Sequence, residues 1–148
     1  MALSEYQKLR DFSKTPEPEG GARPGAGNIF VVHEHDATHL HYDLRLEIGG
    51  VLRSWAVPKE PPEKEGVKRL AIQTEDHPLE YADFEGVIPE GMYGAGTVRI
   101  WDRGEFNLKD EKDDKLLFEL NGKKLSGEYV LIKTKFRGKE SWLFFKRK

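Results

Sequence analysis

The sequence predicts a mostly β protein: a small antiparallel β-barrel with a short N-terminal helix and long loops. Three observations carry that expectation. Short runs of β-branched and aromatic residues recur from Ile29 to the end of the chain, and Gly, Asn and Asp fall between most of them. The spacing of those turn signals suits a sheet that closes on itself. A chain of 148 residues with no internal repeat has room for one core, since at this size roughly two thirds of the unfolded surface is buried. The expected organisation is a single domain, with residues 1–28 as helix and arm and 29–148 as barrel.

Taken in order, Leu3, Tyr6 and Leu9 have helical spacing over residues 1–12, too short to hold a helix without packing. SKTPEPEGGARPGAGN is rich in Pro, Gly and charge, and on composition reads as an irregular leader. Ile29 to Val32 is a strand, followed by polar residues His33 to His39 and the alternating strand HYDLRLE. Gly49-Gly50 marks a hairpin into VLRSWAV, which Pro58 ends before the loop KEPPEKEG. Further strands are expected at Lys68 to Thr74, Gly96 to Trp101, Lys115 to Leu120, Glu128 to Thr134 and Ser141 to Phe145, with GVIPEGMYGAG, DRGEFN and NGKKLSG as turns.

Composition narrows the chemistry. With no cysteine there is no disulfide, no thiolate metal site and no Cys nucleophile, so a metal must sit on His, Asp, Glu or backbone oxygen. The net charge of -2 argues against a strongly basic whole protein, yet it averages an acid-rich stretch from Asp76 to Glu119 with a basic end from Lys123. That end reads either as a solvated surface or as a contact for phosphate backbone. No apolar run nears the ~20 residues of a membrane helix, and the first residues lack the apolar core of a signal peptide, so a cytoplasmic protein is expected.

In HYDLRLE a period of two puts Tyr42, Leu44 and Leu46 on a core face and His41, Asp43, Arg45 and Glu47 on the other. Such a polar face is either solvated or built around a ligand. His35 lies six residues before His41, and a tight bend through Asp36 to Thr38 brings both imidazoles to one point. Two imidazoles and the Asp43 carboxylate make a three-ligand set with open positions, suited to a divalent transition metal. Arg45 beside it offers a forked donor for phosphate. His77, fixed by the proline after it, is either an exposed loop residue or a group that neutralises phosphate or protonates a leaving oxygen. Tyr81 fits the core or the same site. His33 and His39 read as surface residues without a role. Gly27 and His33-Glu34-His35 also begin a cupin metal motif, but the Glu and the downstream His that motif requires are missing.

The segments FVVHEHDATHLHYDLRLEIGGVLRSWAVPKEPP and KRLAIQTEDHPLEYADFEGVIPEGMYGAGTVRIWDRG closely resemble the 3'-phosphoesterase domain of bacterial DNA ligase D, as a free-standing member. The likeness begins at LRDFSKTPEPEG, runs through Trp101, and thins to GEYVLIKT and a Trp-containing last strand. It implies a manganese-dependent hydrolase of prokaryotic repair by non-homologous end joining. The enzyme removes a terminal ribonucleoside from a primer-template 3' end and then the remaining 3'-phosphate, leaving a 3'-hydroxyl. The resemblance places the metal ligands at His35, His41 and Asp43 and the phosphate-contacting pair at Arg45 and His77. Tyr81 is then a site tyrosine, and Lys59 and Arg69 are further basic residues of the phosphate-removing step. Arg10, Asp11 and Glu17 belong to a functional arm, which reverses the leader reading. His33 and His39 replace other polar residues of the family. Separate ligase, polymerase or end-joining proteins become expected partners, near the nucleoid. The alternative from another class is a non-catalytic nucleic-acid-binding barrel that recruits such partners, which leaves the polar face of HYDLRLE unexplained.

Overall fold

A computed structural model describes residues 3–20, 27–136 and 139–148, so the expected irregular run over 21–26 lies outside the described residues. The order is α1 (Ser4–Lys8), β1 (Ile29–Asp36), β2 (Leu40–Ile48), β3 (Val51–Val57), β4 (Lys68–His77), a 3-10 turn (Leu79–Asp83), β5 (Gly86–Ile88), β6 (Gly96–Lys112), β7 (Lys115–Gly122), β8 (Ser126–Phe136) and β9 (Lys139–Lys146). Neighbours run β1-β2-β3-β4-β9-β8-β7-β6, and β6 pairs back onto β1, closing eight antiparallel strands into a barrel. The short β5 adds to the first residues of β6.

Each strand follows from its residues. Gly49 and Gly50 both take positive φ, 67° and 84°, which is the two-residue turn that matches strand twist. DRGEFN, expected to be a turn, is instead the middle of β6. A Cβ on Gly104 would run into the Asn121 carbonyl, so glycine here permits close strand approach rather than reversal. The three-residue β5 was too short to read as a strand, and β1 continues through His33 to Asp36 because β2 and β6 pair on both sides of it.

Two apolar clusters form on opposite sides of the β1-β2-β3 wall. The barrel interior holds Phe30, Val32, Tyr42, Leu44, Leu46, Trp55 and the aromatic residues of β6 to β9. The outer face of the same wall is roofed by Tyr6 from α1, by Leu79, Tyr81, Ala82 and Phe84, and by Ile88 and Val98, packed on Val31 and Leu52. Strand β2 is therefore buried on both faces from Tyr42 to Glu47. No helix is long and apolar enough to cross a membrane among the described residues.

Candidate active site on the outer face of the barrel wall

The polar residues of β2 lie under that roof. Pairing aligns His35 with His41, His33 with Asp43, and Asp43 with Ala56, while Arg45 faces Ser54. Paired residues in antiparallel strands share a face, so three strands present one polar surface. Strand β4 joins through a bulge: Thr74 faces Ser54, but His77 faces Leu52, with one more residue on β4 than on β3. The bulge turns His77 onto the face where a strict period of two would place Asp76. His77 is thus buried at a strand end and is not an exposed loop residue.

His35, His41, Asp43, Arg45, His77, Tyr81 and Arg10 all line one cavity of about 280 Å³, together with Thr74, Glu75, Tyr93 and Gly94. One nitrogen or oxygen from each of His35, His41 and Asp43 lies within 4.8 Å of the others. His35 Nδ1 is 3.5 Å from Asp43 Oδ2, and His41 Nε2 is 3.3 Å from Oδ1. The far nitrogens are held by carbonyls, His35 Nε2 donating to Gly94 at 2.7 Å and His41 Nδ1 to His39 at 3.2 Å. A carbonyl only accepts, so both near nitrogens carry lone pairs when the rings are neutral. Three acceptors then face one another and require a cation between them. These three groups could hold a divalent metal ion, and the carbonyl contacts are of the kind that orient ligating imidazoles. Without a metal the proton serves instead: hydrogen bonding to Asp43 raises the His41 pKa. Burial opposes ionisation of Asp43, but Arg45 and the two imidazoles outweigh it and hold the carboxyl well below the usual range.

Arg45 is fixed on three sides. Its Nε donates to His33 Nδ1 at 3.1 Å, Nη1 donates to Ser54 Oγ at 2.9 Å, and Nη2 lies 3.5 Å from Asp43 Oδ2. Its guanidinium rests 4.8 Å from the centre of the Tyr81 ring. Since each Nη bears two hydrogens, one N–H on each remains for a forked contact with an anion. His33 corrects the sequence reading: it is fully buried, not a surface residue, and its Nε2 donates to the Phe84 carbonyl at 3.0 Å. Burial first, and Arg45 second, push its pKa down to about 3, so it stays neutral and accepts from Arg45. Its pairing with Asp43 across the β1-β2 ladder is the signal that would have found it. His39 is exposed, as expected.

His77 donates Nδ1–H to the Glu75 carbonyl at 2.9 Å and presents Nε2 to Arg10 Nη2 at 3.4 Å. Burial, then Arg45 and Arg10, hold its pKa well below the ordinary value. Arg10 comes from the arm, its Nε 2.9 Å from Glu17 and its Nη1 3.2 Å from Glu75. Glu17 is buried behind the cavity and accepts the Tyr81 hydroxyl at 2.6 Å. The arm is therefore docked against the barrel, which corrects its reading on composition as an irregular leader. Asp11 is exposed and accepts from Ser13 in a turn of the arm. Lys59 is exposed beyond β3, and Arg69 donates to the Glu60 carbonyl at 2.8 Å; neither lines the cavity. Glu75 and Tyr93 line it without having been singled out in the sequence.

A cationic fork beside a His-His-Asp set, in a pocket under a docked arm, is chemistry suited to a phosphoester. The comparisons with known proteins agree with that chemistry. The DNA Ligase D 3'-phosphoesterase domain family matches residues 33–133, and the chain belongs to this family. It is 52% identical over 155 aligned residues, covering 99% of the chain, to a multifunctional non-homologous end joining protein LigD of Pseudomonas aeruginosa. It is 54% identical over 138 residues to the corresponding DNA repair protein of Mycobacterium tuberculosis and 48% identical over 159 to that of Mycolicibacterium smegmatis. The alignments cover 18 to 20% of these relatives' own lengths.

Proposed function

We propose that the chain is a metal-dependent phosphoesterase that heals nucleic-acid 3' ends. It removes a terminal ribonucleoside by cleaving the P–O5' bond, leaving a 3'-phosphate, and then cleaves the P–O3' bond to release inorganic phosphate and a 3'-hydroxyl. Water is the co-reactant in both steps. The observation that carries the reading is the meeting of His35, His41, Asp43, Arg45 and His77 in one cavity of a chain that belongs to the phosphoesterase family.

His35, His41 and Asp43 would hold the metal, manganese or another divalent transition ion, which when bound supplies Lewis-acid polarisation of a phosphoryl oxygen. Arg45 binds two phosphoryl oxygens through its remaining N–H groups, with His33 and Ser54 preventing rotation of the fork. His77 is neutral before substrate enters, because burial first, and then the facing Arg45 and Arg10, disfavour its charged form. Phosphate brings the negative charge that offsets those arginines, so Nε2 takes up a proton and passes it to the leaving oxygen. Tyr81 acts by position, its ring under Arg45 and its hydroxyl on Glu17. Arg10 closes the cavity from the arm, with Asp11 shaping the turn behind it. Lys59 and Arg69 assist the phosphate-removing step from outside the cavity. The ends presented by primer-templates, and ligase, polymerase or end-joining activities, are the proposed partners.

The test is incubation with manganese and a primer-template ending in one ribonucleotide or in a 3'-phosphate. Conversion of both to 3'-hydroxyl ends is expected. Binding without trimming would instead favour the recruiting barrel.

A further inference from the structure

Among the described residues, the large apolar side chains left exposed are aliphatic except one: Tyr93, with 49% of its surface open. It stands at the mouth of the catalytic cavity, and its placement is built rather than incidental. Met92 N–H donates to the Pro89 carbonyl and Ala95 N–H to the Met92 carbonyl, both at 3.1 Å, so the loop makes two successive turns that meet at Met92, with Tyr93 inside the second. The next carbonyl, Gly94, holds His35 at 2.7 Å. The hydrogen bond that orients a proposed metal ligand therefore also fixes the residue before it over the pocket.

The guanidinium of Arg10 lies 3.9 Å from the centre of the buried Tyr6 ring and 5.3 Å from that of Tyr93. Packing on Arg10 accounts for one side of the Tyr93 ring and leaves half of its surface to solvent. The cavity itself, about 280 Å³, is at the small end for a ligand site, with room for a phosphoryl group and its sugar. A base attached to that sugar must lie at the mouth, where the exposed aromatic surface is.

We propose that Tyr93 is the platform on which the base of the 3'-terminal nucleoside stacks, a specificity residue for nucleoside-bearing ends; this rests on the end-healing reading above. Every base has a π face, so the platform accepts all four, and a bare 3'-phosphate, which has no terminal base beyond the reacting phosphorus, gains nothing from it.

The experiment compares kcat/KM for three primer ends, a terminal ribonucleoside, a terminal abasic ribose and a 3'-phosphate, in wild type, Tyr93→Phe and Tyr93→Ala. Wild type and Tyr93→Phe are expected to prefer the base-bearing over the abasic end by about tenfold, and Tyr93→Ala to lose that preference. A wild type that treats both ends alike, or a Tyr93→Ala that keeps the preference, overturns the platform. An equal loss on all three ends in Tyr93→Ala also overturns it, assigning Tyr93 to holding Arg10. If wild type trims none of the ends, the end-healing reading itself falls and the platform with it, which separates the two failures.

Discussion

The two faces of strand β2 are built from alternate residues of one sequence and obey different rules. Tyr42, Leu44 and Leu46 pack into the barrel interior with Trp55 and Phe30, where contact is non-directional and any close-packed apolar set suffices. Asp43 and Arg45 are almost as deeply placed, with His41 half-buried at the edge, yet on the outer face each polar atom depends on a named partner from another element. His33 comes from β1, Ser54 from β3, His77 from the β4 bulge, and Arg10 and Glu17 from the arm. Among the described buried polar residues only Asp102 and Ser141 lie away from this face and its arm. One face holds the fold together, and the other is a polar network that the fold keeps aimed into the cavity.

Breaking the interior face has the largest expected effect. Trp55→Ala should cost about 3–5 kcal/mol in denaturant unfolding, with end trimming lost only in proportion to the unfolded fraction. On the outer face, Arg45→Lys should cost about 1–3 kcal/mol in unfolding, because the buried His33 and Ser54 lose a donor, but lower trimming about a hundredfold. A lysine ammonium cannot occupy His33 and Ser54 and still fork a phosphate.

The pH dependence sharpens the contrast. His33 and His77 are held neutral in the folded protein, whereas both take up protons near pH 6.5 once unfolded. Below that pH the unfolded state binds more protons, so stability falls as pH drops from about 6.5 toward 3, by at most about 1.4 kcal/mol per pH unit for each histidine. Above pH 6.5 this contribution is flat. His33→Gln, which retains an acceptor for Arg45, should remove one histidine's share of the slope, measured by unfolding at pH 7 and pH 5. The smallest expected effect is Tyr81→Phe. Losing the hydroxyl contact to Glu17 should cost about 1 kcal/mol and less than tenfold in trimming, because Arg10 and Thr15 still hold that carboxylate.

The barrel and the polar face of β2 were legible because both follow from a period of two, and the bend between His35 and His41 follows from their spacing. What escaped needed tertiary information. His33 looked solvated because a lone polar residue after Val32 gives no sign that a roof covers it. The burial of His77 depends on a bulge, and a bulge breaks the periodicity by which strands are read. Residues 13–20 look like a leader on composition, and only Tyr6, Gln7 and Arg10 reaching Pro18, Glu19 and Glu17 show why they dock. Glu75 and Tyr93 carry no motif, and the fold alone brings them to the cavity.

The separation of the two faces is tested most directly at His41, whose side chain retains 26% exposure and so tolerates truncation. His41→Ala should unfold at the same denaturant midpoint as wild type while losing more than a hundredfold of manganese-dependent trimming of a ribonucleotide-ended primer. A folded His41→Ala protein that trims at the wild-type rate would contradict the assignment of the outer face to catalysis.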